Sequence, residues 1–462
     1  MKKKRYAGIA FLVAFMVTGT MLGACAAPDG PLAETMEEGG SELSGEGSTE
    51  GQTGAGAPGE EASDEGTGTS DEGQKTEETS DEERKTEEAS DEEQVLKEEN
   101  AEGAQGQDAE EKTSGNDWKT NHKKVRGIYV TGPMAGSASM DNLITLVDET
   151  ELNAMVIDVK NDDGNITYKM NLDSAKDMGA CINYIPDMEG LMAKLKEHHI
   201  YTIARVVCFK DPYLATAKPE LALKKPDGTL VTDANGLAFV NPYRQETWEY
   251  IVDVAVAASK LGFDEIQFDY VRFPIGADAD AADYGVDLNT YTKEQAITGF
   301  LSYAAERFAQ ENIPFGADVF GTIIGSETDV ERVGQNYQTI GGIVDVLSPM
   351  VYPSHYANGV FGLDVPDAHP YETVLAALQG SGRELATVGD ADRAVVRPWL
   401  QSFTATWVPG HISYEGEEIR QQIQAVYDAG YEEWILWNAS NRYSADGLEA
   451  GDSETEQQGA NE

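Results

Sequence analysis

The stretch EIQFDYVRFP at residues 265–274 is a short apolar run, rich in aromatic and β-branched residues, that predicts a buried β-strand. It follows RQETWEYIVDVAVAASKLG at residues 244–262 and precedes KEQAITGFLSYAAERFAQEN at residues 293–312. Both flanking stretches have the apolar spacing of amphipathic helices. A strand between two helices is the repeating unit of a parallel α/β sheet, so this part of the sequence predicts an α/β fold.

The same alternation of strand and helix extends in both directions along the chain. The predicted strands are at residues 125–132, 154–162, 201–209, 265–274, 314–322, 344–353, 394–403 and 432–440. The predicted helices that follow them are at residues 140–152, 187–199, 244–262, 293–312, near 330–340, near 371–380 and at 416–429. Eight strands with helices between them over about 320 residues favour a closed (β/α)8 TIM barrel. An open sheet usually stops near six strands and brings a glycine-rich phosphate-binding turn, which this sequence lacks.

Residues 1–25 resemble a bacterial lipoprotein signal peptide. Basic residues 2–5 precede an apolar run at 7–22, which is shorter than the roughly 20 residues that cross a bilayer. The signal ends in Leu22-Gly23-Ala24-Cys25. In such signals the cysteine becomes the lipidated first residue, so we expect Cys25 to anchor the mature protein to the cell membrane, outside the cytoplasm. A plain signal peptide cleaved near Ala27 and an uncleaved anchor are the alternatives.

Residues 26–117 contain no Phe, Trp or Tyr and carry 30 acidic residues against 5 basic ones. A ten-residue unit recurs as TSDEGQKTEE from Thr69, TSDEERKTEE from Thr79 and ASDEEQ from Ala89. Such a segment cannot bury enough apolar surface to offset its chain entropy, so we predict a disordered acidic linker. A binding region for cations or basic partners is the alternative. The folded domain is then residues 118–449, followed by a disordered tail at 450–462.

The net charge of the chain is −48, and residues 118–462 contribute −27 of it. Binding of nucleic acid depends on Lys and Arg side chains that neutralise phosphates, and no basic stripe is present. We therefore exclude nucleic acid as a partner and expect a neutral or cationic substrate.

Charged and amide side chains in the predicted strands fall mostly toward the C-terminal halves of those strands, which form the rim where TIM barrels build active sites. The polar candidates at this rim are Asp158, Lys160, Arg205, Asp269, Asp318, Arg272, Gln401 and Asn438. Because a buried carboxylate is costly without a partner, the first five are expected to neutralise one another. A purely structural ion network at the top of the barrel would give the same pattern.

Aromatic residues are frequent at the same rim, and their rings can stack on the apolar faces of sugars. The candidates are Tyr352, His355, Tyr356, Trp399, Trp407 and Trp437. Packing in the core is the alternative, which we favour for Trp434 and consider equally good for Trp399.

The run FDEIQFDYVRFP at residues 263–274 resembles a signature of a bacterial family of glycoside hydrolases that was long catalogued as a domain of unknown function. RGIYVTG, AMVIDVKND and LSPMVYPSHY are similar to that family too, and the likeness covers nearly all of residues 125–442. The resemblance implies a TIM barrel related to the α-amylase and α-galactosidase superfamilies. In those barrels an aspartate of strand four is the nucleophile, and Asp269 occupies that position here.

Glycoside hydrolysis uses two carboxyl groups that flank the scissile bond. Asp269 is the candidate nucleophile or base, and Asp318 is the candidate general acid, with Asp158 as the alternative. An α-amylase-like barrel would have a glutamate on strand five where this sequence has Asp318. The identity of the acid and the choice between retention and inversion therefore stay open.

Lys160, Arg205 and Arg272 are expected to hold the carboxylates ionised and to bind hydroxyl groups, although Arg272 could simply fix the loop after strand four. The sequence has no H-E-x-x-H zinc motif and no G-x-S-x-G serine motif, and we predict neither a metal nor a cofactor. The predicted function is a cell-surface glycoside hydrolase that acts on a polysaccharide or oligosaccharide. The alternative is a non-catalytic barrel that binds envelope polysaccharide or peptidoglycan.

Overall fold

The apolar runs of the sequence fill eight positions of a parallel β-barrel. The computed structural model describes residues 116–451. Its strands are β1 (Arg126–Val130), β2 (Ala154–Lys160), β3 (Tyr201–Val207), β4 (Glu265–Asp269), β5 (Phe315–Phe320), β6 (Val346–Val351), β7 (Val395–Val396), β8 (Trp399–Gln401) and β9 (Trp434–Trp437). All pairings between them are parallel, and the sheet closes because β1 pairs with both β2 and β9 while β6 pairs with β5, β7 and β8. The predicted (β/α)8 barrel is therefore confirmed.

Helices follow the strands and cover the outside of the barrel. They are α1 (Asn116–Asn121), α2 (Gly132–Ala135), α3 (Met140–Glu149), α4 (Asp173–Asp177), α5 (Met188–Glu197), α6 (Pro212–Ala217), α7 (Gln245–Ser259), α8 (Ala277–Asp280), α9 (Lys293–Ala309), α10 (Glu327–Val333), α11 (Tyr337–Gly341), α12 (Pro370–Leu385) and α13 (Gly416–Asp428). The helix predicted near 330–340 is divided into α10 and α11. The cause is Gly334, which follows α10 in the left-handed region at φ 77° and ends that helix.

Two strands differ from their apolar runs. The run at 265–274 predicts a longer strand, but β4 ends at Asp269 because Tyr270 has φ 48°, in the left-handed region. Val271 and Phe273 beyond it stay fully buried, so the apolar pattern continues past the end of pairing. The seventh barrel position is shared by β7 and β8, which are separated by a proline at 398 that has no N–H to donate to a neighbouring strand.

Alternate strand residues pack into two separate apolar clusters. Met155, Ile157 and Val159 of β2 belong to the large cluster between the sheet and the helices. The second cluster lies inside the barrel and consists of Val125, Tyr129, Ala154, Val156, Ile203, Tyr352, Trp399 and Ile435. Burial of one such large side chain contributes about 2 kcal/mol, and both clusters together fix which strand faces point inward.

The N-terminal end of the barrel contains a buried ion network that the sequence pattern did not indicate. Arg397 is fully buried and donates to Glu265 at 2.7 Å and to Glu433 at 2.9 Å. Tyr201 donates to Glu265 at 3.3 Å, and His122 hydrogen-bonds Glu433. These residues stand at or before the starts of their strands, opposite to the rim where the other charged side chains gather.

The predicted signal at 1–25 with Cys25, residues 26–115 of the predicted linker, and residues 452–462 of the predicted tail lie outside the described residues. Within the described part, Ala450 forms a β-bridge with Thr150. Cys181 and Cys208 are both free thiols, so they do not pair. None of the helices between residues 116 and 451 combines the length and the apolar character needed to cross a membrane.

Candidate active site

Asp269 is the last residue of β4, and its carboxylate points into the barrel toward an arginine of the neighbouring strand. Arg205 donates to Asp269 Oδ2 from Nε at 2.9 Å and from Nη2 at 2.6 Å. The left-handed backbone at Tyr270 turns its N–H back onto Asp269 Oδ1, at 2.6 Å. All three contacts donate to the carboxylate oxygens, which is the arrangement of an ionised acceptor. The side chain keeps 9 % exposure, so it reaches the mouth of the barrel.

Two further carboxylates share the same guanidinium. Arg205 Nη1 donates to Asp158 Oδ1, and Nη2 donates to Asp162 Oδ1, both at 2.8 Å. Tyr129 donates its hydroxyl to Asp158 Oδ2 at 2.6 Å. Burial raises the pKa of Asp158 to about 6, against the opposing effect of Arg205. Burial acts in the same direction on Asp162, but the nearby Arg205 and Lys210 hold the pKa of that carboxyl below its usual range.

Asp318 of β5 has surroundings that differ from those of Asp269. Its Oδ1 accepts from Gln267 and, at 2.7 Å, from the indole N–H of Trp399. Its Oδ2 is buried and has no hydrogen-bond partner in the part of the chain that the structure describes. Burial, followed by the negative charge of Asp269, raises the pKa of Asp318 well above its usual range. Both effects favour the protonated form of this carboxyl group, and Oδ2 is the oxygen free to carry the proton.

The strand register sets Asp318 beside Asp269. Gln267 pairs with Gly316 and Phe268 with Ala317, so the next step along both strands brings the two aspartates opposite each other. Adjacent strands are about 4.8 Å apart. A carboxylate bound by Arg205 and a buried carboxyl group with a raised pKa therefore lie on neighbouring strands at the C-terminal end of the barrel, where TIM-barrel enzymes perform their chemistry.

An aromatic wall borders the arginine. Tyr129 and Trp437 stack with their ring centroids 4.0 Å apart, and the guanidinium of Arg205 is 5.5 Å and 5.4 Å from the two rings. Trp437 keeps partial exposure, whereas Trp399 is 1 % exposed. Trp399 therefore contributes its N–H to Asp318 and has no free ring face for a sugar.

Tyr352 and His355 follow β6 on the same rim. The ring of Tyr352 is 5.2 Å from that of His355 and 6.0 Å from that of Phe403. Burial lowers the pKa of His355 to about 4, so this imidazole is neutral at neutral pH. Its Nδ1 shares a hydrogen bond with Ser354 Oγ at 2.9 Å.

Gln401 and Asn438 have their polar atoms committed to the protein itself. Gln401 accepts from the Ser354 N–H and donates to Asp367 and to the Phe403 carbonyl. Asn438 donates from its amide to two backbone carbonyls and accepts twice from Ser440. The structure therefore places both amides where they fix the loops that carry the site.

Lys160 pairs with a different carboxylate from those that contact Arg205, so the predicted ring of five mutually neutralising charges is wrong for this lysine. A register shift between Asp158 and Lys160 turns the lysine toward Asp211, at 3.1 Å, and toward the Val207 carbonyl, at 2.8 Å. Arg272 packs between the rings of Tyr270 and Phe320 and donates to the Phe273 carbonyl.

Some members of the cluster were missed by the sequence reasoning. Asp162 and Tyr129 complete the contacts of Arg205 and Asp158, and Gln267 binds Asp318. Asp162 ends the motif AMVIDVKND, which was the available signal. Among residues 116–451, no group of three or more His, Cys, Asp or Glu side chains could hold a metal ion.

Comparison with known proteins assigns the chain to a family. The family model described as "Putative glycosyl hydrolase domain" matches residues 127–443, which is more than half of the chain. The chain belongs to this family. The resemblance that was inferred from the strand-four motif is thereby confirmed, and glycoside hydrolysis is the activity of the family's class. No curated protein matches the chain.

Solved structures similar to this glycosyl hydrolase family member include three from different bacteria. A hypothetical protein from Ruminiclostridium thermocellum is 35 % identical, with 42 % of this chain and 97 % of that chain covered and a TM-score of 0.39. The PgaB (BpsB) glycoside hydrolase domain from Bordetella bronchiseptica is 12 % identical, with coverage of 68 % and 94 % and a TM-score of 0.48. The α-galactosidase TtGalA from Thermus thermophilus is 13 % identical, with coverage of 71 % and 60 % and a TM-score of 0.42.

Proposed function

We propose that this protein cleaves a glycosidic bond of an oligosaccharide or polysaccharide, with Asp269 as the nucleophile and Asp318 as the general acid. The observation that carries this proposal is the contrast between the two neighbouring carboxyl groups. Asp269 accepts hydrogen bonds from Arg205 and from the Tyr270 N–H, whereas Asp318 is buried with a raised pKa and an unpartnered oxygen. A general acid must be protonated and a nucleophile must be ionised, so the two carboxyl groups of one site need different surroundings.

The proposed reaction has two steps. Asp318 gives its proton to the leaving oxygen while Asp269 Oδ1, which accepts only the Tyr270 hydrogen bond, attacks the anomeric carbon and displaces the leaving sugar. Asp318, now ionised, takes a proton from water as that water displaces the Asp269 carboxylate. This two-step route retains the anomeric configuration, and retaining enzymes hold their two carboxyl groups roughly 5–5.5 Å apart.

Asp158 is a weaker candidate for the acid. The pKa of its carboxyl is also raised, to about 6, but both of its oxygens are occupied. Arg205 donates to Oδ1 and Tyr129 donates to Oδ2. Asp158 is therefore proposed to position Arg205, which in turn orients Asp269.

The charge of the cluster supports a neutral or cationic sugar as substrate. One guanidinium, Arg205, faces the three carboxylates of Asp158, Asp162 and Asp269. A uronic acid would add another negative charge to a site that already has an excess of them. We expect neutral glycans or amino sugars to be preferred.

The test is cleavage of a glycan panel by the purified full chain, with neutral, amino-sugar and uronic-acid members. Asp269→Asn and Asp318→Asn should each lower kcat by about a thousandfold or more. Asp163→Asn is the matched control, because Asp163 is an exposed carboxylate on the same rim. The anomeric configuration of the first product, followed by NMR, tests retention. A wild-type chain that cleaves no member, or an Asp269→Asn chain with the wild-type rate, would contradict the proposal.

We also propose that the protein acts at the cell surface, held there by a lipid on Cys25. The support is the sequence alone: a basic segment, an apolar run and Leu22-Gly23-Ala24-Cys25. A labelled fatty acid should be incorporated into the wild-type chain in bacterial cells. Cys25→Ser should lose the label and leave the membrane fraction, while Cys181→Ser should keep both. Equal labelling of wild type and Cys25→Ser would refute the anchor.

A further inference from the structure

Large apolar side chains are exposed on one face of the barrel. Among the described residues, the exposed large hydrophobic side chains are Val286, Leu288, Phe361 and Trp407, with exposures between 37 % and 45 %. All four belong to loops that follow the C-terminal ends of strands, namely β4, β6 and β8. Exposure of several apolar side chains on the face that carries the candidate active site points to a ligand with apolar surface of its own.

A continuous row of rings joins Trp407 to the site. Trp407 is 45 % exposed and stacks on Phe403 with centroids 6.0 Å apart and planes 21° from parallel. Phe403 in turn contacts Tyr352 edge-on at 6.0 Å. Tyr352 belongs to the same cluster inside the barrel as Trp399, whose indole N–H donates to Asp318 at 2.7 Å. Trp407 is thus two ring-to-ring contacts away from Tyr352, which borders the candidate active site.

The loop that carries Trp407 is anchored on both sides of the tryptophan. Gln401 donates to Asp367 Oδ1 at 2.9 Å, before the loop. After it, the Ile412 N–H donates to Asp367 Oδ2 at 3.4 Å, and Tyr414 donates its hydroxyl to the Asp367 carbonyl at 2.9 Å. One buried aspartate therefore ties the loop after β8 to the segment after β6. A fixed indole face binds a ligand at less entropic cost than a mobile one.

From these contacts we infer that Trp407, backed by Phe403, binds a sugar ring remote from the scissile bond and so selects for longer glycan chains. This inference rests on the proposed function, because it takes the bond between Asp269 and Asp318 as the point of cleavage. The exposed indole face packs against the apolar face of a pyranose ring, and its N–H is available for a hydroxyl group. The row of rings defines the direction in which the chain leaves the site.

The test compares short and long members of one oligosaccharide series. In the purified full chain, Trp407→Ala should lower kcat/KM on the longer members by about tenfold, and much less on the shortest member that is cleaved. Trp407→Phe should keep most of the preference for long chains, because it retains an aromatic face. Tyr303→Ala is the matched control: Tyr303 packs on Trp248 on the outer helices, away from the mouth, and its loss should leave both rates unchanged.

Failure of this inference differs from failure of the proposed function. Suppose that the wild type cleaves long and short members, and that Trp407→Ala slows cleavage of both by the same factor or slows neither. The remote sugar site is then refuted, while the proposed glycosidase activity is not. If the wild type cleaves nothing, titration of the same oligosaccharides still decides the question. Weaker binding of the long members to Trp407→Ala then supports the site, and equal or absent binding overturns it.

Discussion

At the scale of single residues, the chemistry of Asp318 follows from its surroundings. Its carboxyl group is buried beside the charge of Asp269, and both effects raise its pKa well above the usual range. The indole N–H of Trp399 works in the opposite direction, because a hydrogen bond donated to the carboxylate stabilises the ionised form. The same three side chains therefore determine whether a proton is available for the leaving group.

A pH dependence follows from this balance. Activity requires protonated Asp318, so kcat/KM should fall as the pH rises through the pKa of that carboxyl. Trp399→Phe removes the donor and should move this alkaline limb to higher pH. Pre-steady-state or steady-state profiles over a wide pH range give the measurement, with Trp118→Phe as the control for loss of an indole elsewhere. If the alkaline decline of kcat/KM in Trp399→Phe occurs at the same pH as in the wild type, or at lower pH, Asp318 is not the acid.

The candidate site could be predicted in part at this scale. The C-terminal positions of Asp158, Arg205, Asp269 and Asp318 in their strands predicted a common rim, and the structure brings these four to one end of the barrel. Position along a strand does not reveal which polar atoms are already occupied. The amide of Gln401 is indistinguishable in sequence from one that binds a ligand, although it is fully used by neighbouring loops.

At the scale of elements, the periodicity predicts which segments form strands and helices but not where pairing stops. β4 ends at Asp269 although Val271 and Phe273 are still fully buried, because both pack in the large cluster between the sheet and the helices. The left-handed backbone at Tyr270 ends the strand, and the apolar pattern of the sequence gives no sign of that conformation. The break between β7 and β8 can be predicted from the sequence, because the run at 394–403 contains a proline, which cannot donate to a neighbouring strand.

The outer face of β4 should dominate the stability of this part of the barrel. Phe268 contacts the rings of Phe300, Phe308 and Phe315 at 5.2, 5.8 and 6.1 Å. Phe268→Ala should lower the free energy of unfolding by about 3–5 kcal/mol, since it leaves a cavity among three rings. Phe361→Ala, at an exposed position, should change it by less than about 0.5 kcal/mol. Denaturant unfolding followed by circular dichroism distinguishes the two, and equal effects would contradict the packing described.

At the scale of the whole molecule, the barrel has one charged network at its C-terminal end and another at its N-terminal end, and the two networks have different roles. The C-terminal network around Arg205 keeps one carboxylate partly exposed. The N-terminal network around Arg397 is fully enclosed by Glu265 and Glu433. Length, charge and strand count predict the barrel but not this second network. The sequence does not show that Glu265 and Glu433, which are 168 positions apart, both contact Arg397.

The N-terminal network should affect stability without affecting catalysis. Arg397→Met leaves two buried carboxylates without their cation and should lower the free energy of unfolding by about 3–5 kcal/mol. The value of kcat at low temperature should stay near wild type, since Arg397 is at the opposite end from Asp269. Arg393→Met is the control, because its ion pair with Asp390 is exposed and should contribute little. A large loss of kcat in folded Arg397→Met protein would show that the two ends are coupled.

Pairing of Arg126–Val130 with Trp434–Trp437 joins segments that leave the ribosome roughly 300 residues apart. Until β9 is available, the backbone N–H and C=O groups along one edge of β1 lack the strand with which they pair in the closed barrel. A chain that ended before Trp434 would leave that edge of β1 unpaired, and an unpaired strand edge is a site of aggregation.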